Sequence, residues 1–254
     1  MDGGVEVFTD ENSDGQSSGQ PIIGYGMITS SVSFKRNIDS HTRAATPLIA
    51  IDLSSTWNWK QDIPITAINK TANPETGSDP PLVVDAALYP GSSDDNNIYL
   101  YGGTVSNVNT SFPGYQKPSS SQYALWSYDT SGDSWNQYDV SVAASNRPAG
   151  GAHAEAPDQG KAFWLNGYIN NGTSNSLEGW DGLLQYLDGL IVIDTETHAA
   201  KNLSTTSLED SPRVRGGLTY LPAVGSKGAL VSFGGVTKPS SDTSDSNMGN
   251  YVCA

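Results

Sequence analysis

Three arginines occupy recurring positions and are the first candidates for binding chemistry. Arg147 and Arg213 stand 66 positions apart, each three residues before a Gly-Gly pair, and Arg215 follows closely. The chain is acidic, with 27 Asp plus Glu against 13 Lys plus Arg and a formal net charge of −14. Guanidinium groups brought together in such a chain would form a site for a carboxylate ligand. The alternative is that they pair with acidic side chains nearby and stabilise the fold.

His153 is a second candidate, because an imidazole changes charge near physiological pH. It lies with Glu155 in a run of small residues, 152–156. It could serve there as an acid, a base or a ligand. A hydrogen-bonded structural histidine is the alternative.

Two short motifs match known chemistry formally but lack its context. Residues 10–15 read D-x-N-x-D-G, the opening of a calcium loop, yet Pro21 stands where the bidentate Glu is required. Residues 15–19 read G-x-S-x-G, but no strand precedes them and Pro21 follows. The single cysteine, Cys253, excludes an intrachain disulfide and a cysteine zinc site. We therefore predict no catalytic residue, metal site or cofactor.

Long polar insertions form a further candidate surface. They span 9–45, 104–121 and 168–187, and their aromatic residues include Tyr115 and Trp180. Aromatic rings among hydroxyl and amide groups suit a peptide or a sugar. The alternative is that these rings pack each loop onto its own scaffold.

The elements that must position these groups recur with a period of about 65 residues. Short apolar runs end in small-residue pairs, and later strands end in aspartate. Tryptophan follows Asp52 as Trp57 and Asp129 as Trp135. The main repeat positions are Gly102-Gly103, Asn166-Gly167, Gly234-Gly235, Asp129, Asp194 and Trp135. Runs of four to six apolar residues bounded by Gly, Pro, Asn, Asp and Ser predict strands, and no helical period is sustained. The unit is therefore predicted to be four short strands.

This ordered set resembles the kelch repeat, most of all that of the large kelch proteins of filamentous fungi. The match is clearest at Gly102, Gly103, Asp129 and Trp135. It departs at Asn166, which replaces a glycine, and at Ala200, which replaces the tryptophan. The resemblance implies an all-β, kelch-type β-propeller of the galactose-oxidase/kelch type, with four antiparallel strands per blade.

The repeat divides the chain into parts of a single propeller. We expect a partial blade at 2–60, blades at 83–139 and 147–203, and a partial blade at 214–254. Four blades or more are needed to close a propeller. The expectation is therefore an incomplete arc, either a fragment of a longer propeller or a chain that takes blades from a partner.

Composition and resemblance together favour a binding role. The acidic charge argues against a nucleic-acid partner, and the longest aliphatic run, 190–193, is too short for a membrane span. We expect a non-enzymatic scaffold that binds a protein or peptide through its long loops. The alternatives are a segment of a secreted copper-radical-oxidase-like enzyme and a cell-wall glycan-binding module. The resemblance favours an extracellular or membrane-anchored location, in a longer form, over a cytoplasmic one.

Overall fold

The described part of the chain is built from short β-strands. The computed structural model describes residues 48–51, 64–81, 83–92, 94–104, 124–141, 143, 147–170, 172–173, 184–207 and 212–237. Among these residues the one helical element is a 3-10 turn at Pro157–Gln159. The predicted all-β class is confirmed.

Two compact units divide the chain. In the first, β1 (Leu48–Ile51) pairs antiparallel with β2 (Ile65–Ile68), so that Leu48 lies opposite Ile68. Strand β2 lies beyond position 60, the predicted end of the first partial blade. The described residues from 69 onward belong to the second unit.

Two four-stranded antiparallel sheets form the body of the second unit. The strands of blade A follow one another in chain order: β3 (Val84–Pro90), β4 (Asn97–Thr104), β5 (Leu125–Asp129) and β6 (Ser134–Tyr138). Blade B has the same order: β7 (Ala152–Ala156), β8 (Lys161–Leu165), β11 (Leu190–Asp194) and β12 (Ala200–Leu203). Between β8 and β11 stands a small hairpin of β9 (Tyr168–Ile169) and β10 (Gln185–Tyr186). Four antiparallel strands per blade, as predicted, are confirmed.

The third sheet has two described strands. Strand β14 (Gly217–Leu221) pairs with β15 (Ala229–Phe233), and they are flanked by the pair β13 (Arg213–Val214) and β16 (Val236–Thr237). We call β14 and β15 hairpin C.

The register repeats from one sheet to the next. In blade A Ala87 lies opposite Tyr101, and in blade B Ala152 lies opposite Leu165. In hairpin C Gly217 lies opposite Phe233. The residue before each small-residue pair therefore lies opposite an equivalent position of the first strand in all three sheets. Residues of the three sheets can be compared position by position on this basis.

Aromatic side chains fill the space between blades A and B. The core there consists mainly of Ala87, Tyr89, Tyr99, Tyr101, Leu125, Ala162, Trp164, Ile191 and Ile193. The rings of Tyr101 and Trp164 meet edge to face, with centroids 5.3 Å apart. The hydroxyl of Tyr89 donates to the carbonyl of Phe163 at 2.9 Å. Buried rings of this size dominate the free energy of packing, so this interface holds the two blades together.

Candidate functional site

The small-residue pairs near the end of β4 and just after β8 join each blade to the next sheet. Gly103 and Gly167 have φ of +94° and +96°, a region that side chains rarely adopt. The N–H of Gly103 donates to the carbonyl of Pro148 at 2.7 Å, and that of Gly167 to the carbonyl of Arg213 at 3.2 Å. A Cβ on Gly102 would lie 2.4 Å from the same Pro148 oxygen. The glycines therefore allow two backbones to approach closely.

A series of backbone hydrogen bonds also links the three sheets, at or near the start of the first strand of each. Asp85, Gly150 and Arg215 are equivalent in register and share a left-handed conformation, with φ of +56°, +61° and +58°. The N–H of Gly150 donates to the carbonyl of Asp85 at 2.9 Å, and that of Arg215 to the carbonyl of Gly150 at 2.7 Å. Asp and Arg in this conformation are strained, and the hydrogen bonds hold them there.

Side chains of this series of linked residues also contact one another. The guanidinium of Arg215 lies 3.2 Å from the Asp85 carboxylate, which accepts the hydroxyl of Tyr168 at 2.7 Å. The Asp85 side chain is buried, whereas that of Arg215 is 42% exposed. Burial raises the pKa of Tyr168, and its hydrogen bond to Asp85 raises it further. The cluster ties blade A, the β9–β10 hairpin and the start of hairpin C together.

The other two candidate arginines bind backbone oxygens. Arg147 is buried, and its Nε donates to the carbonyl of Gly103 at 2.8 Å while an Nη reaches that of Gly172 at 3.3 Å. Arg213 donates to the carbonyl of Gly234 at 3.2 Å. Of the three guanidinium groups, that of Arg215 alone is exposed. These contacts resemble the stabilising alternative more closely than an open carboxylate site.

The bases of two long insertions lie side by side. Thr104 ends β4, before residues 105–123, and Asn170 follows β9, before the insertion that contains 174–183. Thr104 Oγ1 donates to Asn170 Oδ1 at 2.8 Å, and both residues are buried. Two insertions from neighbouring blades therefore start at one point. Tyr115 and Trp180, the aromatic candidates on them, lie outside the described residues.

His153 packs in the interface between blades. Its ring lies edge to face with Tyr89 at 5.8 Å and roughly parallel to Trp164 at 6.4 Å. Burial lowers the pKa of His153, although a hydrogen bond with the backbone of Gly151 opposes that change. Burial also raises the pKa of Glu155. Both shifts favour the neutral forms, as expected of groups in an apolar contact.

The two strand-ending aspartates organise the hairpin turns that follow them. The Asp129 carboxylate accepts the N–H and hydroxyl of Ser131 at 2.8 and 2.7 Å. That of Asp194 accepts the N–H of Thr197 at 2.9 Å and the ammonium of Lys161 at 2.6 Å. Such side-chain bonds to the backbone fix a turn and prefer the ionised carboxylate.

Trp135 is buried and packs on Tyr128, with ring centroids 5.3 Å apart. In blade B the equivalent position is Ala200, which packs at the edge of the core between the blades. The nearby ring of His198 stacks on Tyr138 of blade A at 3.6 Å. Blade B thus has a histidine–tyrosine stack next to the position where tryptophan is absent.

This junction was missed in the sequence. His198 Nε2 lies 3.2 Å from the Tyr99 hydroxyl, which also lies 2.9 Å from the Asp95 carboxylate. His198 and Asp133 both follow a strand-ending aspartate by four residues and both have positive φ. The shared spacing is a usable signal, but neither residue is a glycine that would mark the conformation.

The described residues contain no group of His, Cys, Asp and Glu that could hold a metal ion. No helix among them is long and apolar enough to cross a membrane.

Comparison with known proteins agrees with the repeat geometry. No protein-family model matches the chain. Over 224 residues it is 24% identical to a kelch repeat-containing protein of Arthroderma benhamiae, in an alignment covering 74% of this chain and 31% of that one. This similarity agrees with the resemblance of the repeat to the kelch repeat. The chain spans about a third of the length of this fungal relative.

A solved structure is also similar to this chain. The structure of YjhT is 15% identical, with a TM-score of 0.47, and the match covers 76% of this chain and 60% of that one.

Proposed function

We propose that the chain is a non-enzymatic kelch scaffold that binds a protein or peptide partner through its long insertions. The observation that carries this proposal is the buried hydrogen bond between Thr104 and Asn170, which places the bases of two insertions together. Loops on a rigid scaffold are a common location for binding residues. Two loops that start at one point can contact one partner.

Arg147 links the bases of the same two insertions through its guanidinium group. Its guanidinium bridges the carbonyl of Gly103, one residue before the first insertion, and that of Gly172, within the second. A buried arginine that donates to two backbone oxygens fixes their separation. The scaffold therefore holds both loop bases, whatever conformation the loops adopt beyond them.

The polar groups packed inside the scaffold support a binding role over a catalytic one. His153 and Tyr89 contact each other in the blade interface. Burial lowers the pKa of His153 and raises that of Tyr89, which favours the neutral form of each side chain. A general acid or base is most effective when its pKa lies near the working pH and it faces the substrate. These two groups are packed against rings instead.

Selection from a random peptide library tests the proposal. Peptides enriched on the full chain should lose at least about tenfold in affinity when residues 105–123 or 174–183 are replaced by Gly-Ser linkers, the loss expected when part of a contact face is removed. The control replaces the exposed turn 223–227 in the same way. Equal affinity for the loop and turn variants would contradict the proposal. Binding confined to oligosaccharides in a parallel glycan panel would favour the glycan-binding alternative.

A further inference from the structure

Lys70 is a half-buried lysine whose ammonium contacts no carboxylate among the described residues. Its Nζ donates to the carbonyl of Pro81 at 2.8 Å. Lys161 of blade B, which is also half-buried, instead lies 2.6 Å from the Asp194 carboxylate. Charged groups that are partly removed from water are normally paired with an opposite charge. Lys70 therefore carries a positive charge that no described carboxylate balances.

The surroundings of Lys70 disfavour its protonated form. Burial and, to a smaller extent, the nearby positive charge of Arg147 lower the pKa of Lys70 from 10.5 to about 8. A negatively charged group placed beside the ammonium would oppose both effects, because an opposite charge stabilises the protonated amine. The electrostatics at Lys70 thus favour the binding of an anion.

Lys70 lies close to the base of the first insertion. It bonds to Pro81, and Val83 follows two residues later and packs against Gly103, where an added Cβ would lie 2.6 Å from the Val83 Cβ. Gly103 stands two residues before the insertion 105–123. That insertion contains one lysine and no aspartate or glutamate. Positive charge therefore gathers at the base of the proposed contact face, although the chain as a whole is acidic.

We propose that Lys70 forms a carboxylate-binding site at the base of the insertions, which takes an aspartate or glutamate side chain of the bound peptide. This inference rests on the proposed function, because the peptide held by the insertions supplies the carboxylate. The ammonium keeps its bond to Pro81 and donates a second bond to the carboxylate. The charge of Arg147 attracts the same carboxylate while its own bonds to backbone oxygens remain in place.

Comparison of acidic peptides with their amide analogues tests the proposal. Peptides enriched on the full chain should share an aspartate or glutamate, although the net charge of −14 repels acidic peptides at long range. Replacing that residue with asparagine or glutamine should weaken binding to the wild-type chain at least about tenfold, the loss expected for a charge-assisted hydrogen bond. Enriched peptides that lack an acidic residue would contradict the proposal.

Variants of two lysines assign the preference to one site. In Lys70→Met, which keeps the length of the side chain but not its charge, the change from acid to amide should alter affinity less than about twofold. Lys70→Arg retains the charge and should retain a preference for the acidic peptide. Lys201→Met removes an exposed charge from the outer strand of blade B and should leave the tenfold preference unchanged. Equal effects of Lys70→Met and Lys201→Met would overturn the proposal, and the urea midpoint of each variant measures whether it is folded.

Acetylation of the wild-type chain reports on Lys70 without any substitution. With a pKa of about 8, about half of the Lys70 side chains are the reactive free amine at pH 8. A bound carboxylate raises this pKa, so saturating acidic peptide should slow acetylation of Lys70 by acetic anhydride at least about fivefold compared with saturating amide peptide. Equal rates with the two peptides, measured by mass spectrometry of the Lys70 fragment, would refute the proposed contact.

These results separate the site at Lys70 from the proposed function. Peptides that need the insertions but bind equally well as acid and as amide would refute the carboxylate site and leave the loop function in place. Acidic peptides that need Lys70 but not the insertions would support the carboxylate site and refute the loop function. A selection that enriches no peptide would overturn both.

Discussion

Substitution of Gly102 by alanine measures how much the contact between blades contributes. Gly102 has φ of +75°, and a Cβ there would lie 2.4 Å from the carbonyl oxygen of Pro148. Gly234 occupies the same position in hairpin C, with φ of +66° and nothing within 4 Å of the added carbon. The pair therefore separates the cost of backbone conformation from the cost of crowding.

The magnitudes follow from these distances. Alanine in the left-handed region costs about 1 kcal/mol at either position. At Gly102 the added carbon meets backbone, which cannot rotate away, and crowding of this kind costs about 1–3 kcal/mol. Moving Pro148 also weakens its bond from the Gly103 N–H, worth about 1 kcal/mol. Gly102→Ala should thus lower the free energy of unfolding by about 3–5 kcal/mol, and Gly234→Ala by about 1 kcal/mol.

Urea unfolding followed by tryptophan fluorescence is the assay, because Trp126, Trp135 and Trp164 are buried in the two blades. Gly77→Ala is a second control, since Gly77 has φ of +67° and open space around it. If Gly102→Ala costs no more than the Gly77 and Gly234 variants, the reasoning about the close backbone approach is refuted.

Three further predictions concern charged groups. Partial burial opposes ionisation of Asp194, but its hydrogen bond and ion pair with Lys161 lower its pKa from 3.8 to about 2. The stabilisation that the ionised carboxylate provides is therefore present above pH 3.8 and lost as the pH falls toward 2. Asp194→Asn should flatten this part of the plot of urea midpoint against pH. Burial lowers the pKa of His198 below 6.5, and nearby carboxylates partly offset this shift. Because the folded state then binds fewer protons than the unfolded state, stability should fall as the pH drops below 6.5. His198→Asn should remove this pH dependence, and a stability profile unchanged from wild type would contradict the prediction. Arg215→Gln should cost less than about 1 kcal/mol because the Arg215 side chain is partly solvated, which screens its ion pair with Asp85. Asp85→Ala, which also leaves the buried Tyr168 hydroxyl without its acceptor, should cost about 1–3 kcal/mol; equal costs in urea unfolding would contradict this ranking.

The repeat could be predicted because the backbone at its key positions has a conformation that few residue types can adopt. A glycine is required where φ is near +95° and a neighbouring strand lies within van der Waals contact, as at Gly103 and Gly167. Such requirements recur wherever the geometry recurs. The sequence therefore shows the period directly at these positions.

The series of linked residues with positive φ could not be predicted in the same way. Asp85, Gly150 and Arg215 share one conformation, yet they are three different residue types. Their common feature is a backbone hydrogen bond to the next sheet, and many side chains are compatible with that bond. Only the register of the folded strands makes the equivalence visible.

The spacing of the arginines was recognised in the sequence, but the spacing did not show what their guanidinium groups bind. Arg147 and Arg213 recur because each stands next to the carbonyl groups of a glycine pair, which a guanidinium can reach. Spacing along the chain does not distinguish a donor to backbone from a donor to a ligand. The difference depends on burial, and Arg147 is buried.

The blade interface was also beyond prediction in its detail. The sequence shows which residues alternate along a strand, but not which sheet they face. Tyr89, Tyr101 and Trp164 meet because blade A presents one face to the opposite face of blade B. The stack of His198 on Tyr138 depends on the same approach and on a left-handed histidine.

Photo-crosslinking tests the central claim that two insertions form one contact face. Benzoylphenylalanine is placed at Tyr115 in one variant and at Trp180 in another, and each is irradiated with a peptide selected on the full chain. Both variants should crosslink to that same peptide, and a variant labelled at the exposed Val224 should not. Crosslinking from only one insertion, or from neither, would contradict the account.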